Sequence, residues 1–176
     1  MSASPDTAPD LVRPIIGFRQ WRLQDGVLRS IWTDDTWDGG LLRARCRADA
    51  FARRTTVGEA PDPACTCGVY AWHGQVPIGA SATRDLVAGA VALWGPIEIH
   101  ATGMRAQYGH IVALSLPLTR SRKRLELAIT AGELGIDLVP HRRLATAAMA
   151  YGTPIPASLR PGPKCRALTP RGHVRG

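Results

Sequence analysis

An α+β domain, in which a small curled antiparallel sheet or partial β-barrel is followed by two C-terminal helices, is the fold class the sequence predicts. Three observations predict it. An alternating apolar and polar segment closes on a turn dipeptide near the N-terminus, glycine-punctuated apolar runs fill residues 86–116, and helical periodicity appears only after residue 120.

Ile15 to Leu23 (IIGFRQWRL) alternates through Phe18, Gln20 and Arg22, and Asp25-Gly26 turns the chain into VLRSIW, so this stretch reads as a β-hairpin. Thr33 to Gly40, with three Asp and two Gly, reads as a loop, and LLRARC after it as a third short strand. Asp49 to Pro63 is polar and carries Gly58, Pro61 and Pro63, the composition of an irregular loop leading into Cys65-Thr66-Cys67-Gly68. Val69 to Trp72 is a short apolar patch, and His73 to Thr83 reads as a surface loop.

The strongest signal follows. Leu86 to Trp94 reads as a buried strand, Ile97 to His100 alternates, Thr102-Gly103 turns, and Tyr108 to Leu116 is apolar again. Gly89, Gly95 and Gly109 predict bulges or bends that curl the sheet. Ser121 opens a helix with Leu125, Ala128 and Ile129 on one face and Gly135 as its stop. A second helix runs from His141 to Tyr151 with Leu144, Ala147, Ala148 and Tyr151 at helical spacing, ended by Gly152 and Pro154. The domain is expected over residues 15–157, β-rich over 15–116 and helical over 121–152, between a disordered arm (1–14) and a basic disordered tail (158–176).

The chain has 176 residues, 45% hydrophobic and 20% charged, which suits one globular domain. No run of about 18 apolar residues and no signal-peptide pattern occurs, so no membrane association is expected and the protein reads as cytoplasmic. The basic residues are 20 Arg and 2 Lys, a skew expected of a GC-rich coding genome. The net charge of +8 points to a polyanionic partner, nucleic acid or an acidic protein. Part of it sits in the tail, where Arg160, Lys164, Arg166, Arg171 and Arg175 have no acid among them. The candidate nucleic-acid contacts are Arg19 and Arg22 in the first hairpin, Arg122, Lys123 and Arg124 at the first helix, Arg142 and Arg143 at the second, and Arg166.

Cys46, Cys65 and Cys67 are the sharpest chemical feature, because thiolate ligation is the usual alternative to a disulfide inside a cell. A structural zinc would take these three thiolates and one imidazole, His73 or His100. CxC is a less specific spacing than CxxC, so buried thiols and a redox pair are the competing readings. Glu98, His100 and Arg105 are the candidate acid-base cluster of a small hydrolase or transferase, against the plainer reading of a cross-strand ion pair on a solvent face. No phosphate loop, dinucleotide fingerprint, hydrolase elbow or zincin motif occurs, which favours a non-enzymatic module.

Five Trp also require a reading. Trp21, Trp32, Trp37, Trp72 and Trp94 could stack on bases, with Arg19, Arg22 and Arg29 interleaved in the first hairpin as in a single-strand-binding platform, or else they form the core and smaller core clusters. SRKR and HRR at the two helix starts would suit a helix-turn-helix, although the link from Ile136 to Pro140 is long for one.

The segments GFRQWRL, ACTCGVYAW and VAGAVALWGPIEIHATGMRAQYGHIVALSLP resemble a family of small actinobacterial and actinophage proteins with GFRxW, CxCG[IV]YA and LWGxVxxHxxGxRA motifs. The resemblance covers about residues 15–116. It implies a shared architecture and carries no established activity. Members often have a His shortly before the CxCG box; this chain has Glu59 in TVGEAPDPAC, which weighs against a zinc site of that composition.

Overall fold

The structure, a computed structural model, describes residues 13–33, 35–46, 60–62, 65–75, 86–117 and 122–161. Residues 1–12 and 162–176, which hold most of the expected arm and tail together with Arg166, lie outside the described residues.

The strands are β1 (Ile15–Gln24), β2 (Val27–Ser30), β3 (Leu41–Arg43), β4 (Val69–Trp72), β5 (Leu86–Ile99), β6 (Gly103–Leu116), β7 (Asp137–Pro140) and β8 (Thr153–Pro154), with helices α1 (Arg122–Leu134) and α2 (Leu144–Ala148). Among the described residues all eight strands join one sheet. β1 and β2 form the expected hairpin, and Asp25 and Gly26 take the positive φ angles of 49° and 75° that a tight right-twisted turn needs. β5 and β6 pair along their length, β5 returns to β1, and β4 bridges β6 to β1, so four strands close into a ring. Curling is built into β5 and β6 by irregularities at Ala90/Val91 and Trp94/Ile97.

The ring encloses Trp21, Leu23, Trp37, Val69, Val91, Leu93, Met104, Ile111 and Leu114. On the other side of β1, β5 and β6 a second cluster of Ile16, Phe18, Ala90, Ala92 and Val112 is covered by Leu144 and Ala148 of α2. Curled sheet first and two short helices last is therefore the observed α+β architecture. No described helix is long and apolar enough to cross a membrane.

Three local expectations are corrected. The segment read as a link between the helices is β7, which pairs parallel to β6 from Ala113↔Asp137 to Leu116↔Pro140. A strand therefore separates the two helices, and a helix-turn-helix is not formed. The second helix is shorter than expected, a 3-10 turn over His141–Arg143 leading into α2.

The third correction concerns α1, which buries Leu127, Thr130 and Ala131, while Leu125 and Ile129 are 65% and 53% exposed. Polar contacts decide the orientation. Gly26 N donates to Glu126 Oε1 at 2.9 Å and Thr130 Oγ1 donates to Gly26 O at 3.0 Å, which docks α1 on the first hairpin turn. Gly135 (φ 63°) then ends the helix with Ile136 N bonded back to Ala131 O, a Schellman closure that launches β7.

Candidate metal centre

Cys46 and the CxC box are brought together by the pairing of β6 with two short strands. β3 pairs with β6 from Leu41↔His110 to Arg43↔Tyr108, and Ala44 N continues the ladder to Gln107 O at 2.8 Å, which carries Cys46 toward Arg105. On the other flank β4 pairs Tyr70 with Arg105, so the segment just before β4, containing Cys65 and Cys67, arrives at the same place. Gly68 joins the box to β4 with φ 139°, and a Cβ there would lie 2.9 Å from the Arg105 Cβ. The glycine of CxCG is thus the close approach that lets the loop lie on Arg105.

The three sulfurs lie within 4.8 Å of one another, with Cys46 Sγ and Cys65 Sγ 3.2 Å apart. Zn–S bonds of about 2.3 Å give a tetrahedron with sulfur–sulfur edges of about 3.8 Å, which falls inside that spread. Two sulfurs accept backbone N–H groups, Cys65 from Cys67 N at 3.1 Å and Cys67 from Asp62 N at 3.4 Å. The Cys67 thiol bonded to it is the largest influence on Cys65 and lowers its pKa, against a smaller opposing effect of desolvation. Burial, then its bond to Cys65, pushes Cys67 up to about 12. Cys65 is therefore more readily ionised than Cys67.

Arg105 holds the loop in place. It is 3% exposed, and its Nε–H and both terminal nitrogens donate to Glu98 Oε2, Cys65 O, Cys67 O (3.0 Å) and Asp62 O (3.1 Å). These five hydrogen bonds match the five N–H donors of a guanidinium. Burial opposes its charge, yet the bonds to Glu98 and the carboxylate's charge outweigh this and raise its pKa. The candidate acid-base cluster does assemble, since His100 Nε2 lies 3.4 Å from Glu98 Oε1. Its cation, however, is fully engaged in binding a loop.

Neither candidate histidine joins the thiols; among the described residues the metal-compatible group is the three cysteines. His73 Nε2 instead bonds His100 O at 2.8 Å, and the backbone N–H groups of His73 and His100 bond Thr102 O and Gly103 O. Both are committed to the β5–β6 turn. Because the carbonyl accepts, Nε2 carries the His73 proton, and the buried Nδ1 has no hydrogen-bond partner.

The basic residues scatter. Arg19 is 8% exposed, its guanidinium 5.4 Å from the Trp21 ring centre and 4.8 Å from that of Trp37, with Nη2 donating to Ser30 Oγ at 3.3 Å. It faces the core and is corrected as a nucleic-acid contact. Trp21 and Trp37 are likewise core, edge to face at 5.4 Å, and are closed to bases, while Trp32, Trp72 and Trp94 are exposed. Arg22 is half-buried opposite Arg29, Lys123 is half-buried, and Arg122, Arg124, Arg142 and Arg143 are exposed.

Two pairs escaped the sequence reading. His141 Nδ1 lies 3.1 Å from Ser115 Oγ because β7 delivers it there, and neither residue has a sequence neighbour that hints at the other. Arg43 and Tyr108 were not singled out; LLRARC and YGHIV hold them one cross-strand step apart. No known protein family, curated protein or solved structure matches the chain.

Proposed function

We propose that this protein is a non-enzymatic binding module for a polyanion, with one end of its sheet held by a single zinc ion on Cys46, Cys65 and Cys67. The observation that carries the reading is Arg105. The same guanidinium that would have served a catalytic cluster is saturated by Glu98 and three loop carbonyls, and it lays the CxC box beside Cys46. The donor set suits zinc, since soft thiolates with amide N–H support are its common structural ligands.

A loop anchored this way has little apolar material of its own, and metal binding would supply its stability. The excess of eight positive charges supports an acidic partner. Elemental analysis of freshly purified protein should find one zinc per chain, absent from Cys65→Ser, and a chelator should lower the melting temperature. Absence of stoichiometric metal, or a melting temperature indifferent to chelation, removes the zinc from the reading. Polyanion binding is tested separately: affinity for heparin and for nucleic acid should fall steeply with salt.

A further inference from the structure

Outward from the ring, on the row where β5, β6 and β3 lie side by side, three flat side chains stand together. Trp94 on β5 pairs with Tyr108 on β6, which pairs with Arg43 on β3. The two rings stack with centres 5.6 Å apart and planes 10° from parallel, and the Arg43 guanidinium lies 5.6 Å from the Tyr108 centre. Trp94 is 37% exposed and Arg43 is exposed.

The row lies opposite the core. Leu93 and Gly109, the neighbouring pair, face Val69 and Trp37 inside the ring. The bulge between Trp94 and Ile97 contains Gly95 at φ 77°, where a Cβ would come within 3.1 Å of Tyr108 Cδ2. Glycine there keeps the Tyr108 ring clear. Arg45, two residues beyond Arg43, is also exposed, so the platform is flanked by positive charge.

Tyr108, half-buried between Trp94 and Arg43, holds the indole and the guanidinium in line, and their exposed parts form a surface for other flat π systems while the adjoining arginines suit a phosphate backbone. We infer that this row is the contact surface for single-stranded nucleic acid, an inference that rests on the polyanion reading and names its partner. An acidic peptide would use the arginines and leave the rings idle. Duplex DNA keeps its base faces stacked, so only an unpaired strand engages both features.

The test is fluorescence anisotropy of the full chain as purified with labelled oligo(dT) and oligo(U) of about 20 nucleotides, a length that spans at least one stacking site, beside a duplex and heparin. The expected result is tighter binding of single strands than of duplex, a loss of about 5- to 100-fold in Trp94→Ala and in Tyr108→Ala, and near-normal binding in Trp94→Phe, which keeps an aromatic face. Melting curves verify that the variants are folded, and Trp94→Phe against Trp94→Ala separates stacking from packing. The two oligonucleotides distinguish a DNA from an RNA partner. If wild type binds duplex and heparin as well as single strands, and Trp94→Ala is silent, the platform is overturned while the polyanion reading stands. If wild type binds none of these at low salt, both fall.

Discussion

Arg19 and Arg105 are both buried guanidiniums, and the contrast between them separates two ways a protein keeps a charge out of water. Arg105 is surrounded by acceptors, a carboxylate and three carbonyls, and its pKa is raised. Arg19 is surrounded by indole faces and one hydroxyl, its Nε has no hydrogen-bond partner, and burial pulls its pKa down to about 10 against the weaker pull of Asp35. The first cation organises polar backbone that would otherwise be unpaired. The second fills space between two tryptophans, and its charge is incidental to that role.

The difference is open to direct attack. Arg105→Ala should be the most damaging change, destabilising by about 3–5 kcal/mol because three part-buried carbonyls lose their donor together, at about 1–3 kcal/mol each, with loss of bound zinc alongside. Urea denaturation gives the first quantity and elemental analysis the second. Glu98→Gln keeps the shape and removes only the counter-charge, so a smaller loss of about 1–3 kcal/mol is expected by the same denaturation. Arg19→Met, which replaces the buried cation by an apolar chain of similar length, should change stability by less than about 1 kcal/mol, or raise it. A large loss there would place Arg19 with Arg105. Leu125→Ser, on the exposed side of α1, should stay within about 0.5 kcal/mol, and a melting scan suffices to check it.

What was legible in the sequence follows from the range of the forces involved. The hairpin at Asp25-Gly26 and the β5–β6 pair were readable because period-2 alternation and turn dipeptides are local signals. β7 was missed because Asp137 and Pro140 bound only two apolar residues, and a four-residue parallel edge strand leaves too short a pattern to count. The face of α1 was misread because apolar residues lie on both sides, and the deciding contacts, Glu126 and Thr130 to Gly26, are polar and 100 or more residues apart.

The cysteines were conspicuous, but their convergence was not. Arg105 bonds carbonyls 38 to 43 residues upstream, so nothing near it in the chain announces the loop it holds. Arg19 was misassigned because it lies two residues from Trp21 and shares its face, and that face reads as a solvent platform if the Trp stacks on bases and as core if the Trp is buried.

The ring itself is unevenly closed. β5 is zipped to β1 through eight residue pairs from Ile15↔Leu93 to Arg22↔Leu86, whereas β4 meets β1 at the single pair Phe18↔Trp72. A barrel fastened in this way has a hinge side and a latch side. Thermal openings that release the latch break the fewest strand-to-strand hydrogen bonds, so amide protons bonded across the Phe18↔Trp72 seam should exchange with solvent well before those at the centre of β5 and β6.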